Sequence, residues 1–279
     1  MISAQWERRI RRASDLTTAY PFAAQGLRFY ARVAAFQQDF YAQIGKALVG
    51  SPKTSADRPL REELDLFLLL PHFSPFLSVI QQIAPAPLAE AAAGLAQRGS
   101  PTWQNAIEDF WQADPELTAV MEDADSRRAS SSDRLLAWIF LQPYAEYLAN
   151  HRESQNLHGT PSTCPLCGGR PIVGVLRSEG DGAKKSLICM LCAHEWDFRR
   201  IYCPACSEER EPQMAFYSSP EIAHVRVDVC DTCHTYLKSV DLTKTGLAVP
   251  IVDELATIPL DLWAREHGYQ KLQINLLGT

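Results

Sequence analysis

Cys164-Pro-Leu-Cys167 opens the stretch of sequence that decides the fold, because it is the first of four Cys-x-x-Cys pairs. The others are Cys189-Met-Leu-Cys192, Cys203-Pro-Ala-Cys206 and Cys230-Asp-Thr-Cys233, and the four pairs hold all eight cysteines of the chain. Two residues between cysteines form a tight turn, here called a knuckle, that directs both sulfurs to one side. Two knuckles supply a tetrahedral all-sulfur site that suits Zn²⁺ or a single iron and leaves no position open to a substrate. The pattern therefore predicts closed metal sites and not hydrolytic ones.

The second half of this stretch nearly repeats the first. Proline follows the leading cysteine in both copies, and 21 residues follow Cys167 before the next knuckle, against 23 after Cys206. Such a duplication favours two complete sites formed by neighbouring knuckles, although an interleaved arrangement of first with third and second with fourth is open. The predicted metal ligands are Cys164, Cys167, Cys189 and Cys192 in the first site and Cys203, Cys206, Cys230 and Cys233 in the second. Three nearby histidines are surplus to four thiolates and are expected at the surface or beside the ligands: His194, His224 and His234.

The residues between the knuckles are typical of β-hairpins. Pro171-Ile-Val-Gly-Val-Leu-Arg177 leads through a Gly-containing turn to Lys184-Lys-Ser-Leu-Ile-Cys189. In the second copy, Ala223-His-Val-Arg-Val-Asp-Val-Cys230 alternates apolar and polar residues, as a half-buried strand does. Residues 160–200 and 201–242 are therefore predicted to be two tandem rubredoxin-like or zinc-ribbon β modules. Units of this size bury little apolar surface, so metal ligation contributes much of their folding free energy.

The rest of the chain has helical periodicity. Apolar residues such as Leu27, Tyr30 and Val33 recur at three- and four-residue intervals, which predicts an all-α domain over residues 1–155 with about five to seven helices. A polar linker is expected at 151–162. Residues 243–279 are predicted to form a mostly helical tail, in which the helix that includes Leu260 stops at Gly268. The predicted breaks between N-terminal helices lie at 50–55, 84–87 and 98–101, with an N-cap at Ser130. The fold class is α+β, and four side chains that invite functional roles are predicted to pack in the core or at a helix edge: His72, Trp103, Trp111 and Tyr144.

Charge and hydropathy indicate a cytoplasmic protein. The arginines at positions 8, 9, 11 and 12 are followed by no apolar stretch, so they are predicted to be a solvated helix face and not an export signal. The uncharged run over residues 66–89 is interrupted by prolines, Pro71 and Pro75 among them, which argues against a membrane span. A net charge of −6 opposes nucleic-acid binding.

In a reducing compartment, regular cysteine spacing indicates metal binding and not disulfide formation. A thioredoxin-like dithiol is disfavoured because it needs a single Cys-x-x-Cys pair in a βαβ pattern.

With these motifs in place, the sequence resembles the FdhE family, the formate dehydrogenase accessory proteins. The resemblance rests on the four knuckles in this order, on the Cys-x-x-Cys-x-His-x-Trp element ending at Trp196, and on Arg199-Arg-Ile-Tyr-Cys-Pro-Ala-Cys206. It extends to Pro259-Leu-Asp-Leu-Trp-Ala-Arg-Glu-His-Gly-Tyr-Gln-Lys271 in the tail and to a cysteine-free helical first half.

The resemblance implies a non-enzymatic assembly chaperone that binds the molybdopterin-containing catalytic subunit of formate dehydrogenase in the cytoplasm before that subunit is exported. It also implies iron in two mononuclear tetrathiolate sites, with zinc possible instead. Two alternatives are carried forward: a redox-active iron that passes or senses electrons, and a zinc-ribbon nucleic-acid or protein adaptor. An enzyme is not expected, because the sequence contains no nucleophile-base set and no Gly-rich phosphate loop.

Overall fold

The computed structural model describes residues 3–49, 59–113, 130–152, 161–180 and 182–278. The chain divides into two compact units, a helical unit of residues 32–155 and a sheet unit that combines residues 1–31 with 156–279. The helices are α1 (Ser3–Ala19), α2 (Ala24–Ala47), α3 (Leu66–Ile83), α4 (Ala86–Arg98), α5 (Ser100–Gln112), α6 (Ser131–Asn150), α7 (Pro250–Ala256) and α8 (Ile258–Glu266). The strands are β1 (Pro171–Glu179), β2 (Gly182–Cys189), β3 (Glu195–Phe198), β4 (Met214–Ser218), β5 (Val225–Cys230), β6 (Thr235–Asp241) and β7 (Gln270–Lys271). The predicted fold class is confirmed: helices, then a sheet region with two groups of four cysteines, then helices.

These units divide the chain differently from the predicted domains. The first 31 residues, which were predicted to belong to the helical domain, lie in the sheet unit, and the two predicted β modules share one sheet. The predicted break at 50–55 lies outside the described residues, as does most of the linker at 151–162. The breaks at 84–87 and 98–101 are confirmed, because α3 ends at Ile83 and Gly99 adopts a φ of 79° between α4 and α5. The N-cap is also confirmed: the Ser130 hydroxyl accepts a hydrogen bond from the Asp133 amide.

The helical unit has an aromatic core. The rings of Phe40 and Phe140 stack at 4.9 Å, and Phe73 meets Phe140 edge-on at the same distance. The His72 ring lies 5.1 Å from that of Phe40, and the indole N–H of Trp103 donates to the Leu95 carbonyl. Trp111 is completely buried, and the Tyr144 hydroxyl donates to the Glu63 carbonyl. The prediction that these four side chains are packing residues is confirmed.

Helix α3 corrects one expectation. It runs unbroken through Pro71 and Pro75, both of which are exposed. Because the prolines are four residues apart on the solvent side, the carbonyls that they leave without an intrahelical partner can face water, and the helix continues. Within the described residues, α3 alone has the length and hydropathy of a membrane span, with 28 % of that window buried. One such helix is weak support for a span, since core helices of soluble proteins share these properties.

The sheet unit joins the two predicted β modules edge to edge. The strand order is β3-β2-β1-β6-β5-β4, with β7 also paired to β6. The pairs β1–β2, β2–β3, β4–β5 and β5–β6 are antiparallel. Strand β6 runs parallel to β7 and to β1, with Gly174 opposite Ser239. Helix α7 packs on β1 and β6, and α1 packs on α7. Both cysteine groups are therefore attached to one sheet.

A buried ion pair crosses the joint between the halves. The Lys185 ammonium on β2 lies 2.7 Å from the Asp228 carboxylate on β5, so its side chain spans the two strands between them. The Ser239 hydroxyl on β6 donates to the same carboxylate at 2.6 Å. A Cβ at Gly174 would lie 2.2 Å from the Ser239 oxygen, so glycine is needed on β1 to leave room for the Ser239 hydroxyl. Burial raises the pKa of Asp228, but the charges of Lys185 and Arg226 outweigh it and hold the pKa below its ordinary value.

The N-terminal arginines are only partly a solvated face. Arg8 and Arg11 are exposed as predicted, but Arg9 is buried with its guanidinium 4.4 Å from the centre of the Trp6 ring. Arg12 forms an ion pair with the fully buried Asp253 of α7. The prediction failed for these two because their partners are a neighbouring aromatic ring and a carboxylate 241 positions away in sequence.

The predicted helical tail is helical only as far as Glu266. Gly268, with a φ of 84°, follows α8 as expected, and the chain then pairs with β6 through β7. Leu272 and Leu276 in this last segment are buried, whereas Leu262 on α8 is 51 % exposed.

Candidate metal centres

Each cysteine knuckle is a closed turn held by backbone hydrogen bonds. In the first, the Gly168 amide donates to the Cys164 carbonyl at 2.8 Å, and the Cys164 amide donates to the Gly169 carbonyl at 2.7 Å. In the third, the Ser207 amide likewise donates to the Cys203 carbonyl, and the Cys203 amide donates to the Glu208 carbonyl. Backbone amides also point at sulfur, as from Gly169 to the Cys167 sulfur at 3.4 Å. Such N–H groups stabilise negative charge on the thiolate that a metal requires.

The residue after the second cysteine of every knuckle adopts a left-handed conformation. These residues are Gly168, Ala193, Ser207 and His234, with φ values of 71°, 53°, 62° and 53°. Among the described residues, the last three are the non-glycine positions with positive φ. Each costs about 1 kcal/mol relative to glycine. A strain repeated at the same place in the turn indicates that the sulfur geometry requires this backbone path.

The first centre consists of the sulfurs of Cys164, Cys167, Cys189 and Cys192. The Cys164 and Cys192 sulfurs are 3.6 Å apart, those of Cys167 and Cys189 are 3.3 Å apart, and all four lie within 4.8 Å of one another. All four residues are buried. The backbone of Gly169 approaches them so closely that a Cβ there would lie 2.9 Å from the Cys189 sulfur.

The second centre consists of the sulfurs of Cys203, Cys206, Cys230 and Cys233. The Cys203 and Cys233 sulfurs are 3.7 Å apart, and so are those of Cys206 and Cys230. The burial differs from the first centre: Cys203 and Cys230 are buried, Cys233 is half-buried and Cys206 is exposed. The structure therefore brings together the predicted sets in their sequential grouping, and not in the interleaved one.

The spacing of the sulfurs fits a four-coordinate metal ion. With metal–sulfur bonds of about 2.3 Å, the sulfurs of a tetrahedral site are about 3.8 Å apart. The measured separations of 3.3 to 3.7 Å lie close to this value. Either group can thus hold Zn²⁺ or a single iron through its four sulfurs, and no sulfur of either group forms a disulfide.

Burial makes charge on the cysteine sulfurs of both centres dependent on a compensating cation. Burial raises the pKa of the Cys189 and Cys192 thiols well above the ordinary value, and burial likewise raises that of Cys203. At Cys233 burial is outweighed by hydrogen bonds, chiefly that involving Thr235, and the pKa falls. Thiols packed this closely release their protons when a cation supplies compensating charge, so metal binding and deprotonation are coupled.

Polar contacts tie the two knuckles of the second centre together. The Thr232 hydroxyl donates to a Glu208 carboxylate oxygen at 2.7 Å, and the Arg210 guanidinium holds the same carboxylate through contacts of 2.6 and 2.9 Å. These bonds hold the pKa of Glu208 well below its usual range, with Arg210 as the largest cause. The Tyr269 hydroxyl donates to Asp231 at 2.6 Å, which joins the tail to the same knuckle.

The histidines near the knuckles are not members of either sulfur group. The His194 carbonyl accepts the Cys189 amide, and burial lowers the pKa of its imidazole. His224 lies 2.8 Å from the Asp253 carboxylate, away from the sulfurs. His234 is exposed at its left-handed position. The prediction is confirmed for His194, which lies beside a ligand, and for His234 at the surface, whereas His224 lies at neither place and pairs with the buried Asp253.

A buried ion network lies under the tail and was not predicted from the sequence. The ammonium of Lys238, on β6, is fully buried 2.6 Å from Asp261 and 3.0 Å from Glu254, and Lys271 pairs with both carboxylates. The Tyr236 hydroxyl donates to Asp261 at 2.9 Å. Two cations balance two anions, so the network is satisfied and fixes α7, α8 and β7 to the sheet. The available signal was charge within apolar segments, such as Lys238 in Tyr-Leu-Lys-Ser-Val.

Comparison with known proteins places the cysteine region in two domain families. A family model described as "FdhE, central domain" matches residues 163–200, and one described as "FdhE, C-terminal domain" matches residues 201–277. The chain is 23 % identical to a protein named "Protein FdhE homolog" from Aquifex aeolicus (strain VF5), over 96 % of this chain and 94 % of that protein.

Other relatives match over a shorter span. Proteins of the same name from Edwardsiella ictaluri (strain 93-146) and Shewanella oneidensis (strain MR-1) are each 31 % identical, over 57 % and 51 % of this chain. These matches span about half of either relative, 52 % and 48 %. The crystal structure of the FdhE protein from Pseudomonas aeruginosa has the same fold, with a TM-score of 0.72 at 23 % identity over 99 % of this chain and 96 % of that chain.

Proposed function

Because the chain belongs to the FdhE family, we propose that it is a cytoplasmic accessory protein for the maturation of formate dehydrogenase. The observation that carries the proposal is the pair of four-sulfur groups, which lie within the two segments matched by the FdhE domains. In such centres the chain fills all four coordination positions, which supports a role in binding and assembly and not in catalysis. The protein would act as a chaperone for another polypeptide.

Both centres are proposed to hold iron, with zinc as the alternative metal. The sulfur geometry accommodates either ion, so the preference for iron comes from the family resemblance. When bound to four thiolates, iron supplies a one-electron centre, whereas Zn²⁺ is redox-inert. Metal analysis and visible spectroscopy of protein purified without added metal test this point. Iron with strong thiolate charge-transfer absorption supports the proposal, and a colourless protein holding two zinc ions contradicts it.

The proposed partner is the catalytic subunit of formate dehydrogenase, bound through the metal-bearing region. Strand β4 supports this because it forms one edge of the sheet, and no strand within the described residues pairs with its outer side. It carries Phe216 and Tyr217, which are 60 % and 44 % exposed, and its register places Met214 opposite Cys230 of the second centre. Exposed sheet edges with apolar side chains commonly pair with segments of other proteins.

Binding of the metal-replete chain to the catalytic subunit tests this proposal, with two matched variants. Phe216→Glu places a charge at the sheet edge, while Phe67→Glu does so at a phenylalanine of the helical unit that is 94 % exposed. We expect Phe216→Glu to weaken binding at least about tenfold, which corresponds to about 1.4 kcal/mol, and Phe67→Glu to leave it unchanged. No binding by the wild type, together with normal formate oxidation in a deletion strain, would refute the accessory role.

The alternative of a nucleic-acid adaptor gains no support from the surface charges. Two of the exposed basic residues around the knuckles are paired with carboxylates: Arg199 with Glu209 at 3.0 Å and Lys184 with Asp197 at 2.7 Å. Lys185 is buried in the joint of the sheet. These residues therefore offer little unpaired charge to a phosphate backbone.

A further inference from the structure

We infer that the second centre, Cys203, Cys206, Cys230 and Cys233, is an exchange site that releases and takes up its metal ion through Cys206, while the first centre retains its ion as part of the fold. The inference rests on the proposed metal binding. It assigns different roles to two centres whose cysteine spacing is nearly the same. Three observations carry it: the exposure of Cys206, the difference between the two centres in the residues that separate the cysteines, and the contacts that join the two knuckles of the second centre.

The two centres differ in their access to solvent. All four cysteines of the first are buried, and the residues between Cys189 and Cys192 are Met190 and Leu191, which are 5 % and 1 % exposed. The corresponding residues of the second centre, Asp231 and Thr232, are exposed. Buried apolar side chains thus cover the first centre, whereas the equivalent positions of the second centre carry polar side chains that are exposed to solvent.

The leading knuckles differ in the same way. Cys164-Pro-Leu-Cys167 carries a half-buried Leu166, whereas Cys203-Pro-Ala-Cys206 carries an exposed Ala205 followed by the exposed Cys206 and Ser207. A ligand from solution must reach the ion or displace one of its sulfurs, and reactive sulfurs are those that are accessible. Cys206 offers this approach, and the first centre would have to open its packing before a ligand could enter.

Exchange at the second centre is a ligand substitution in which no electrons are transferred. An incoming donor atom binds the ion as the metal bond to the Cys206 sulfur breaks, and the freed thiolate takes a proton from the buffer. Each of the other three sulfurs would be replaced in the same way, by a further donor atom of the incoming ligand, with its thiolate taking up a proton, and the reverse sequence would reload the site. Deprotonation of the same thiols accompanies uptake, so no further reactant is needed.

The two knuckles of the second centre are held together by contacts that do not depend on the metal. Glu208, two residues after Cys206, joins Thr232 of the facing knuckle at 2.7 Å and is clamped by Arg210. Asp231 is held by Tyr269 of the tail. This scaffold keeps the four sulfurs near one another when the ion leaves, so the site can be refilled.

Release kinetics of the full chain loaded with two equivalents of Zn²⁺ test the inference. Excess 4-(2-pyridylazo)resorcinol reports released zinc by absorbance, and timed pulses of N-ethylmaleimide followed by peptide mass spectrometry show which cysteines are freed. We expect one equivalent to leave at least about tenfold faster than the other, which needs a barrier difference of only about 1.4 kcal/mol. Cys206 and the other cysteines of the second centre should be labelled in the fast phase, and those of the first centre only in the slow phase.

A variant pair sharpens the assignment without removing a ligand. Ala205→Leu recreates the Cys-Pro-Leu-Cys sequence of the first centre and should slow the fast phase at least about threefold, a barrier change of about 0.7 kcal/mol. Ser178→Leu, at the exposed end of β1 remote from Cys189 in register, should leave both phases unchanged. Release of both equivalents in one phase, or labelling of the first centre in the fast phase, would overturn the inference. Failure to bind two equivalents at all would instead overturn the proposed metal centres.

Discussion

The two cysteine centres share a backbone and differ in their surroundings. Every knuckle has a left-handed residue after its second cysteine, and both centres place four sulfurs within 4.8 Å of one another. The first is enclosed by Met190, Leu191 and the backbone of Gly169, while the second opens at Cys206 and is braced by Glu208 and Thr232. A duplicated motif thus preserves ligand geometry, because the metal dictates it, while the surrounding side chains are free to change role.

The largest effect is expected from removing one ligand of each centre in turn. Cys167→Ser should abolish metal binding at the buried first centre, leave buried thiols without their cation, and destabilise the sheet unit by about 5 kcal/mol. Cys206→Ser should also weaken metal binding but cost about half as much stability, because its sulfur is exposed. Metal analysis and urea titration followed by circular dichroism measure both effects.

In neither variant should the helical unit, residues 32–155, unfold at lower urea than in the wild type, because none of the ligands lies within it. Equal destabilisation by the two serine substitutions would show that the difference in burial has no energetic consequence.

The next largest effect tests whether the two halves of the sheet unfold together. Asp228→Asn leaves Lys185 buried without its counter-charge, and we expect a loss of about 3 kcal/mol at pH 7. Loss of cooperativity between the centres should accompany it, seen as separate unfolding transitions for the two halves. Asp197→Asn, an exposed carboxylate paired with Lys184, is the matched control and should change stability by less than about 0.5 kcal/mol.

The same carboxylate gives a pH dependence with a defined sign. Because the folded-state pKa of Asp228 lies below its unfolded value of about 3.9, the ionised group stabilises the fold above that pH. This stabilisation is lost as pH falls through the folded pKa. Asp228→Asn should therefore flatten the decline in stability below about pH 4. An unchanged acid-unfolding curve for the variant would contradict the role assigned to this ion pair.

A smaller effect on stability is expected from disturbing the close packing of Gly169 against the sulfurs of the first centre. Gly169→Ala places a Cβ 2.9 Å from the Cys189 sulfur, so the backbone or the sulfur must shift, at a cost of about 1–3 kcal/mol. Metal affinity should fall at the first centre only. Gly246→Ala, where a Cβ would meet nothing within 4 Å, provides the control. Thermal unfolding and competitive zinc titration measure the two variants, and equal behaviour would show that Gly169 is not required for space.

The smallest effect concerns the left-handed residues. Ala193→Gly should stabilise the first half of the sheet by up to about 1 kcal/mol by relieving strain at a φ of 53°, and Gly168→Ala should destabilise it by a similar amount. Changes of opposite sign in the urea midpoint are the expected result. If Ala193→Gly instead destabilises, the backbone strain at Ala193 is smaller than the entropy that glycine adds to the unfolded chain.

Cysteine spacing was sufficient to predict the two sulfur groups, because a two-residue turn and a short hairpin are local structures. The difference between the centres was also present in the sequence, as Met-Leu against Asp-Thr between the cysteines, and was overlooked because the two halves were interpreted as equivalent copies. Whether the residues between the cysteines are apolar or polar determines which centre is covered by buried side chains.

Long-range features were not predictable from local patterns. The parallel pairing of β1 with β6, the ion pair from Lys185 to Asp228, and the partner of Arg12 all join residues distant in sequence. Such contacts depend on tertiary packing, in which a charged residue that looks solvated can find a buried partner. Pro71 shows the converse, since a local rule for helix breaking was overridden on an exposed face.

Metal stoichiometry combined with X-ray absorption at the metal edge tests the central claim most directly. The account predicts two ions per chain, each with four sulfur neighbours at about 2.3 Å, in the wild type. It predicts one such ion in a variant with all four cysteines of the second centre replaced by serine. A wild-type chain with fewer than two ions, or with nitrogen or oxygen among the ligands, would contradict the assignment of the eight cysteines to two tetrathiolate centres.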